Sequence, residues 1–101
     1  MRVLVMFDLP VTTSRERREY TRFRKYLIKN GYLMLQESVY TKLVQNNQAA
    51  DWAINGLYKN KPEAGLVQAL KVTEKQYSKM EYIVGESRSD IVDSDERITF
   101  L

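Results

Sequence analysis

Residues 2–9 are apolar at nearly every position, with Val3, Leu4, Val5, Met6 and Phe7 in an unbroken run that ends in one carboxylate, Asp8. A run that does not alternate reads as a strand with both faces covered. Pro10 stops the ladder, and Thr13 with Glu16 forms a T-x-x-E capping box that places a helix start near Ser14, with Gly31 as a suitable residue just past its end. The stretch "YLMLQESVYTKLV", residues 32–44, is rich in β-branched and aromatic side chains and reads as one long second strand. In "NNQAADWAINGLYKN", residues 46–60, Ala50, Ala53, Ile54 and Leu57 recur at helical spacing before Pro62, which gives a second helix weakened by Gly56. A third strand over 65–72 ("GLVQALKV") follows. Next come a helical turn over 73–79 capped by Thr73 and Gln76, and a fourth strand over 80–84 ("MEYIV") closed by Gly85.

The order is β-α-β-β-α-β with a short insertion, the ferredoxin-like pattern of a four-stranded sheet with two helices on one face, in the α+β class. The other face is left bare. Because the first strand is apolar on both sides, the most economical cover for that face is the same face of a second copy, so a homodimer is expected. After the acidic stretch "ESRSDIVDSDER", residues 86–97, the segment "RITFL" gives an extra C-terminal strand with no place among the four. It suits the sheet edge of a partner protomer, exchanged across the dimer. Residues 1–85 thus form one ferredoxin-like domain, with 86–101 as its acidic linker and last strand.

Composition tightens this picture in three ways. At 101 residues the chain is too short for two domains and buries a smaller share of its surface than a larger one, which favours association. No apolar run reaches the length of a membrane span, so the expectation is a soluble, cytoplasmic protein without a membrane partner. Cysteine and histidine are both absent. This excludes disulfides, Ser-His-Asp and Cys-His catalysis and His- or Cys-ligated zinc. Chemistry, if any, falls to Asp, Glu, Lys, Tyr or water, which points to a carboxylate holding a hard cation such as Mg²⁺ through oxygen.

The net charge of +3 is unevenly spread: residues 14–30 hold seven basic side chains against Glu16 and Glu19. On a helical wheel Glu16, Tyr20, Phe23 and Leu27 form the inward stripe, while Arg15, Arg18, Arg22, Lys25 and Lys29 gather within roughly 80° on the outward side. Such a row is either a solvated helix face or a ridge for a phosphodiester backbone. Its density of charge favours the ridge. Doubled by a two-fold axis it offers about ten contacts, for which counterion release gives a salt slope of about −9. No aromatic cluster for base stacking accompanies it, so the backbone is the expected target. Asp8, at the tip of the first strand, is either a Mg²⁺ ligand paired with its copy across a dimer axis or the organiser of an Asx turn at Pro10. Asp90, Asp93, Asp95 and Glu96 lack calcium-loop spacing and read as a solvated linker.

The Asp in "MFDLP", the helix "RREYTRFRKYL", the strand "GYLMLQESVY" and the later "VTEKQ", in this order and at this length, resemble CRISPR-associated protein 2, the small partner of the spacer integrase. The tone of "ESVYTKL" and "VTEKQ" is that of the type II branch. The resemblance covers nearly the whole chain and implies a ferredoxin-like homodimer with an exchanged C-terminal strand. It also implies a part in CRISPR adaptation, as a scaffold between dimers of the integrase CRISPR-associated protein 1 that carries duplex prespacer DNA on its basic surface. By resemblance, Arg15, Arg17, Arg18 and Arg22 would contact phosphates, with Arg17 off the ridge on the wheel; Lys25 joins them from the wheel. The family is also described as metal-dependent endonucleases on RNA or DNA, with Asp8 as catalytic residue and Mg²⁺ ligand. A toxin-like RNA-cleaving relative is a further alternative. The acidic segment 86–97 is a candidate contact for the integrase.

Overall fold

The computed structural model describes residues 1–86. The elements run β1 (Arg2–Asp8), α1 (Ser14–Lys29), β2 (Leu33–Gln36), β3 (Val39–Leu43), α2 (Asn47–Lys59), β4 (Leu66–Val72) and α3 (Glu74–Ser78). All strand pairs are antiparallel, in the order β2-β3-β1-β4. This is the ferredoxin-like fold, with α3 appended. β1 takes the centre, where a strand apolar at nearly every position is covered on both faces. Val3, Val5 and Phe7 are buried beneath the helices, while Leu4 and Met6 line the opposite face. Phe23 and Leu27 of α1, Tyr40 of β3 and Ala50 and Leu57 of α2 complete the core. Phe7 is its hub, edge-on to Phe23 with ring centroids 5.4 Å apart and stacked on Tyr40 at 5.7 Å.

Two expected strands are corrected. Residues 32–44 form a hairpin rather than one strand, with the chain reversing at Glu37 and Ser38 and a register shift between Met34 and Gln36. A single strand of that length would run about 43 Å, roughly twice the length of β1, and half its backbone would find no ladder partner. Folding back puts Met34 opposite Tyr40 on the helix side and Leu33 opposite Thr41 on the other. Neither Gly nor Pro marks the turn, which is why the sequence conceals it. The second correction concerns residues 80–84, which are not a strand. The capping box of Thr73 and Gln76 starts α3 directly after β4 and turns the chain onto the open face of the sheet. There Met80, Tyr82 and Val84 line a groove with Leu4, Leu35 and Val39. Arg2 fastens this arm: its Nε donates to Glu74 at 2.9 Å, and its guanidinium lies 4.1 Å from the centre of the Tyr77 ring. The four strands therefore come from the split hairpin, and the β-α-β-β-α-β order is kept with a different assignment.

The same register defines the second face. Leu4 stands between Thr41 and Leu70, Met6 between Val39 and Gln68, and Asp8 opposite Leu66. Leu33, Leu66 and Leu70 on this face are exposed. The bare apolar face expected from the sequence is thus present, crossed in part by residues 80–86. Gly56, a puzzle within a helix, is explained by α1: the Tyr26 hydroxyl occupies the place a side chain at 56 would take. Among the described residues no helix is long and apolar enough to cross a membrane. The expected terminal strand over 97–101 and the acidic residues from 87 onward lie outside the described residues, as does any exchange of that strand.

Candidate nucleic-acid interface

The basic helix begins where its capping box places it. Thr13 Oγ1 accepts from the Glu16 amide at 3.1 Å, and the Glu16 carboxylate accepts from the amides of Thr12 and Thr13, each at 2.9 Å. These backbone donors hold the Glu16 carboxyl below the usual carboxylate range. Sign follows from direction. A carboxyl whose pKa is lower folded than unfolded adds stability that is complete above its unfolded value, near 4.3, and is lost as pH falls through the folded value. Glu16→Gln is therefore expected to lower the melting temperature at neutral pH, where the carboxylate contribution is complete, and to converge on the parent below about pH 4, as a melting series across pH would record.

Phe23 and Leu27 bury the inward stripe and so aim the opposite face of α1 outward. The predicted cations on that side are not equivalent. Arg18 and Lys25 are exposed and take part in no hydrogen bond or ion pair among the described residues. With Ser14, Arg17, Thr21 and Arg22 they line one shallow surface depression, the only place where most of the predicted contacts converge among the described residues. Arg17, off the ridge on the wheel, lies in this depression but turns its guanidinium back on the loop before the helix. Its Nη1 donates to the carbonyls of Thr12 at 2.7 Å and Val11 at 3.2 Å. Arg22 is divided between the Glu19 carboxylate (3.1 and 3.3 Å) and the carbonyls of Asn60 and Lys61 (3.2 Å each). The guanidinium of Arg22 in turn holds the Glu19 carboxyl below its ordinary range. Arg15 stands apart, with its Nη2 2.9 Å from both carboxylate oxygens of Glu63.

Asp8 sits at the rim of the open sheet face, exposed, at the end of β1. Among the described residues its carboxylate accepts no hydrogen bond, so the Asx turn is not made, and Pro10 alone ends the strand. The backbone beside it is fixed instead by Gly65, whose φ of +98° and closeness to the Asp8 carbonyl leave no room for a side chain. As a test of fit for Mg²⁺, Asp8 offers an available oxygen ligand of the right hardness, but no group of three or more acidic side chains surrounds it among the described residues. One chain supplies one carboxylate, and a metal held by protein ligands alone would need a second.

Residues 1–80 match the family model described as CRISPR associated protein Cas2. The chain belongs to that family. A protein named CRISPR-associated endoribonuclease Cas2 from Treponema denticola is 54% identical to it over 101 residues, covering 100% of both chains. A protein of the same name from Streptococcus mutans is 46% identical, with 100% of this chain and 93% of the relative covered. The crystal structure of Streptococcus pyogenes Cas2 at pH 6.5 superposes with a TM-score of 0.62 over 83% of this chain and 100% of that one, at 20% identity, a likeness of fold.

Within this Cas2-family chain, sequence reasoning missed the loop between α2 and β4. Asn60, Lys61 and Glu63 are far from α1 in sequence, and nothing local in "NKPEAG" announces that Arg15 and Arg22 hold them. It also missed Arg24, whose Nε donates to the buried Tyr40 hydroxyl at 3.0 Å and so is spent on joining α1 to β3. The tyrosines outside α1 differ in their surroundings. Tyr58 is exposed, but Tyr32 is only 3% exposed, its hydroxyl has no hydrogen-bond partner among the described residues, and burial pushes its pKa up to about 12.

Proposed function

We propose that this protein serves CRISPR adaptation as an architectural dimer that binds duplex prespacer DNA by its phosphate backbone, between dimers of the integrase CRISPR-associated protein 1. The observation that carries this reading is the outward face of α1, where Arg18 and Lys25, without a partner among the described residues, share one depression with Arg17 and Arg22. Its donors are point charges and forks without an aromatic platform, a combination suited to phosphate and blind to sequence. The exposed apolar sheet face supports the homodimer, since a second copy would cover Leu4, Leu33, Leu66 and Leu70 and double the cationic face. The test is a salt titration of duplex DNA binding with and without the integrase. A steep loss of affinity with salt, by roughly 10⁴ between 50 and 200 mM for a dimer using most of its cations, is the expected result. Flat salt dependence, or a purified species that stays monomeric, would refute it.

A second reading has its own support. The relatives are named endoribonucleases, and Asp8 is exposed and, among the described residues, free of hydrogen bonds where a two-fold axis could pair it with its copy. In that reading Asp8 is the catalytic residue and holds Mg²⁺, which supplies Lewis acidity toward a phosphodiester. A lone acid without histidine is a thin apparatus, so scaffolding is the favoured role. Asp8→Ala separates the two: unchanged spacer acquisition in cells by a folded variant is expected. Lost acquisition with duplex binding intact would establish the nuclease instead, and growth arrest on expression of the unaltered protein would mark a toxin-like RNA-cleaving role.

A further inference from the structure

The pairing of Arg15 with Glu63 has no structural necessity. Both side chains are largely exposed, 72% and 56%, and they join the first turn of α1 to the loop over 60–64. Exposed pairs of this kind are weak and readily exchanged for another anion. One guanidinium nitrogen, Nη2, faces both carboxylate oxygens, so the rest of the fork is uncommitted to Glu63. A carboxylate centred on a guanidinium sits where an incoming phosphate oxygen would sit, because both anions use the same planar donors. The loop is held there by other means. Arg22 grips the carbonyls of Asn60 and Lys61, and Gly65 closes against the Asp8 backbone. Loss of the Glu63 charge therefore leaves the loop tethered on both sides. Arg18 and Lys25, by contrast, face no carboxylate among the described residues.

We propose that Glu63 is an intrachain phosphate surrogate, which occupies Arg15 in the free protein and must yield it when a polyanion docks, so that this loop sets the strength of backbone binding. The proposal rests on the phosphate-binding reading of α1 and adds the element that weakens it. Its chemistry is ion exchange: the Arg15–carboxylate contact breaks, an Arg15–phosphate contact forms, and the freed carboxylate is hydrated. Arg15 is thus present on the ridge but discounted, and Glu63 also repels phosphates placed on either side of it.

The test compares the unaltered chain with Glu63→Gln, Arg15→Ala and the double variant, using a mixed-sequence DNA duplex in a salt titration. Glu63→Gln is expected to bind about threefold to fivefold more tightly at low salt, the range that an exposed pair allows. Its salt slope should steepen by up to about 0.9 per chain, because no freed carboxylate remains to take back a counterion when Arg15 meets the phosphate. Arg15→Ala is expected to cost little in the unaltered chain and several-fold in the Glu63→Gln background, a coupling that a double-mutant cycle isolates. A purely structural Glu63 would lower the melting temperature of Glu63→Gln and leave affinity, slope and coupling unmoved; that result overturns the proposal. The underlying reading fails separately, if the unaltered chain binds the duplex without salt dependence, or if replacing Arg18 and Lys25 changes nothing.

Discussion

Alanine at both Arg18 and Lys25 is expected to weaken duplex DNA binding more than alanine at any two of Arg15, Arg17 and Arg22. These two cations have no partner among the described residues, so their whole charge is available to a phosphate, whereas Arg15, Arg17 and Arg22 each spend donors within the chain. Each lost phosphate contact lowers the salt slope by about 0.9, and at 0.1 M salt this amounts to nearly tenfold in affinity per contact. One chain's pair thus accounts for roughly 50-fold, and in a two-fold dimer both copies are lost together. Arg17→Ala is the internal contrast. Its guanidinium closes the loop before α1 through the Val11 and Thr12 carbonyls, so the expected outcome is a lower melting temperature with a nearly unchanged slope. Fluorescence anisotropy across a salt series reads both quantities. Equal loss for both sets of variants would mean that the ridge does not act as discrete phosphate contacts.

Phe23→Ala is expected to be the most destabilising single substitution on α1. The side chain is completely buried and packs edge-on against Phe7, with the Tyr26 ring stacked 6.5 Å away. Truncating a buried phenylalanine costs about 3–5 kcal/mol, from lost transfer energy and from the cavity left behind. For a domain of this size that corresponds to a fall in melting temperature of at least about 12 °C. The effect reaches the surface. Phe23 and Leu27 anchor the face of α1 opposite the cations, so a chain that keeps its charges but loses this anchor should also bind duplex less well at temperatures near its transition. Comparison at fixed protein concentration is needed, because a dimer's melting point depends on it. A variant that melts within a few degrees of the parent would mean the core repacks around the gap.

Local physics explains what was legible in advance. The T-x-x-E box, the spacing of Phe23 and Leu27 and the outward row of arginines all depend on residues within a few turns of one another, so the start of α1, its buried stripe and its cationic face could be read directly from the chain. The same holds for the two-sided burial of β1 and for the capping pair at Thr73 and Gln76. The hairpin at Glu37 and Ser38 could not be read, because its cause is the limited length of β1 as a ladder partner rather than any turn residue. Nor could the path of residues 80–86, which look like a strand by composition but cross the open face, where they line a groove with Leu4, Leu35 and Val39.

The sequence by itself determined that this is a ferredoxin-like α+β chain with one basic helix, one acid at the tip of its central strand, and no histidine or cysteine for other chemistry. Only the tertiary structure decided which of the cations are available. Arg15 finds Glu63 and Arg22 finds the Asn60 and Lys61 carbonyls across separations of 38 residues or more, and Arg24 is consumed by Tyr40. A helical wheel fixes the direction in which a side chain leaves its own helix. Whether that charge meets solvent or a counter-charge depends on which distant segment the packed core carries alongside it.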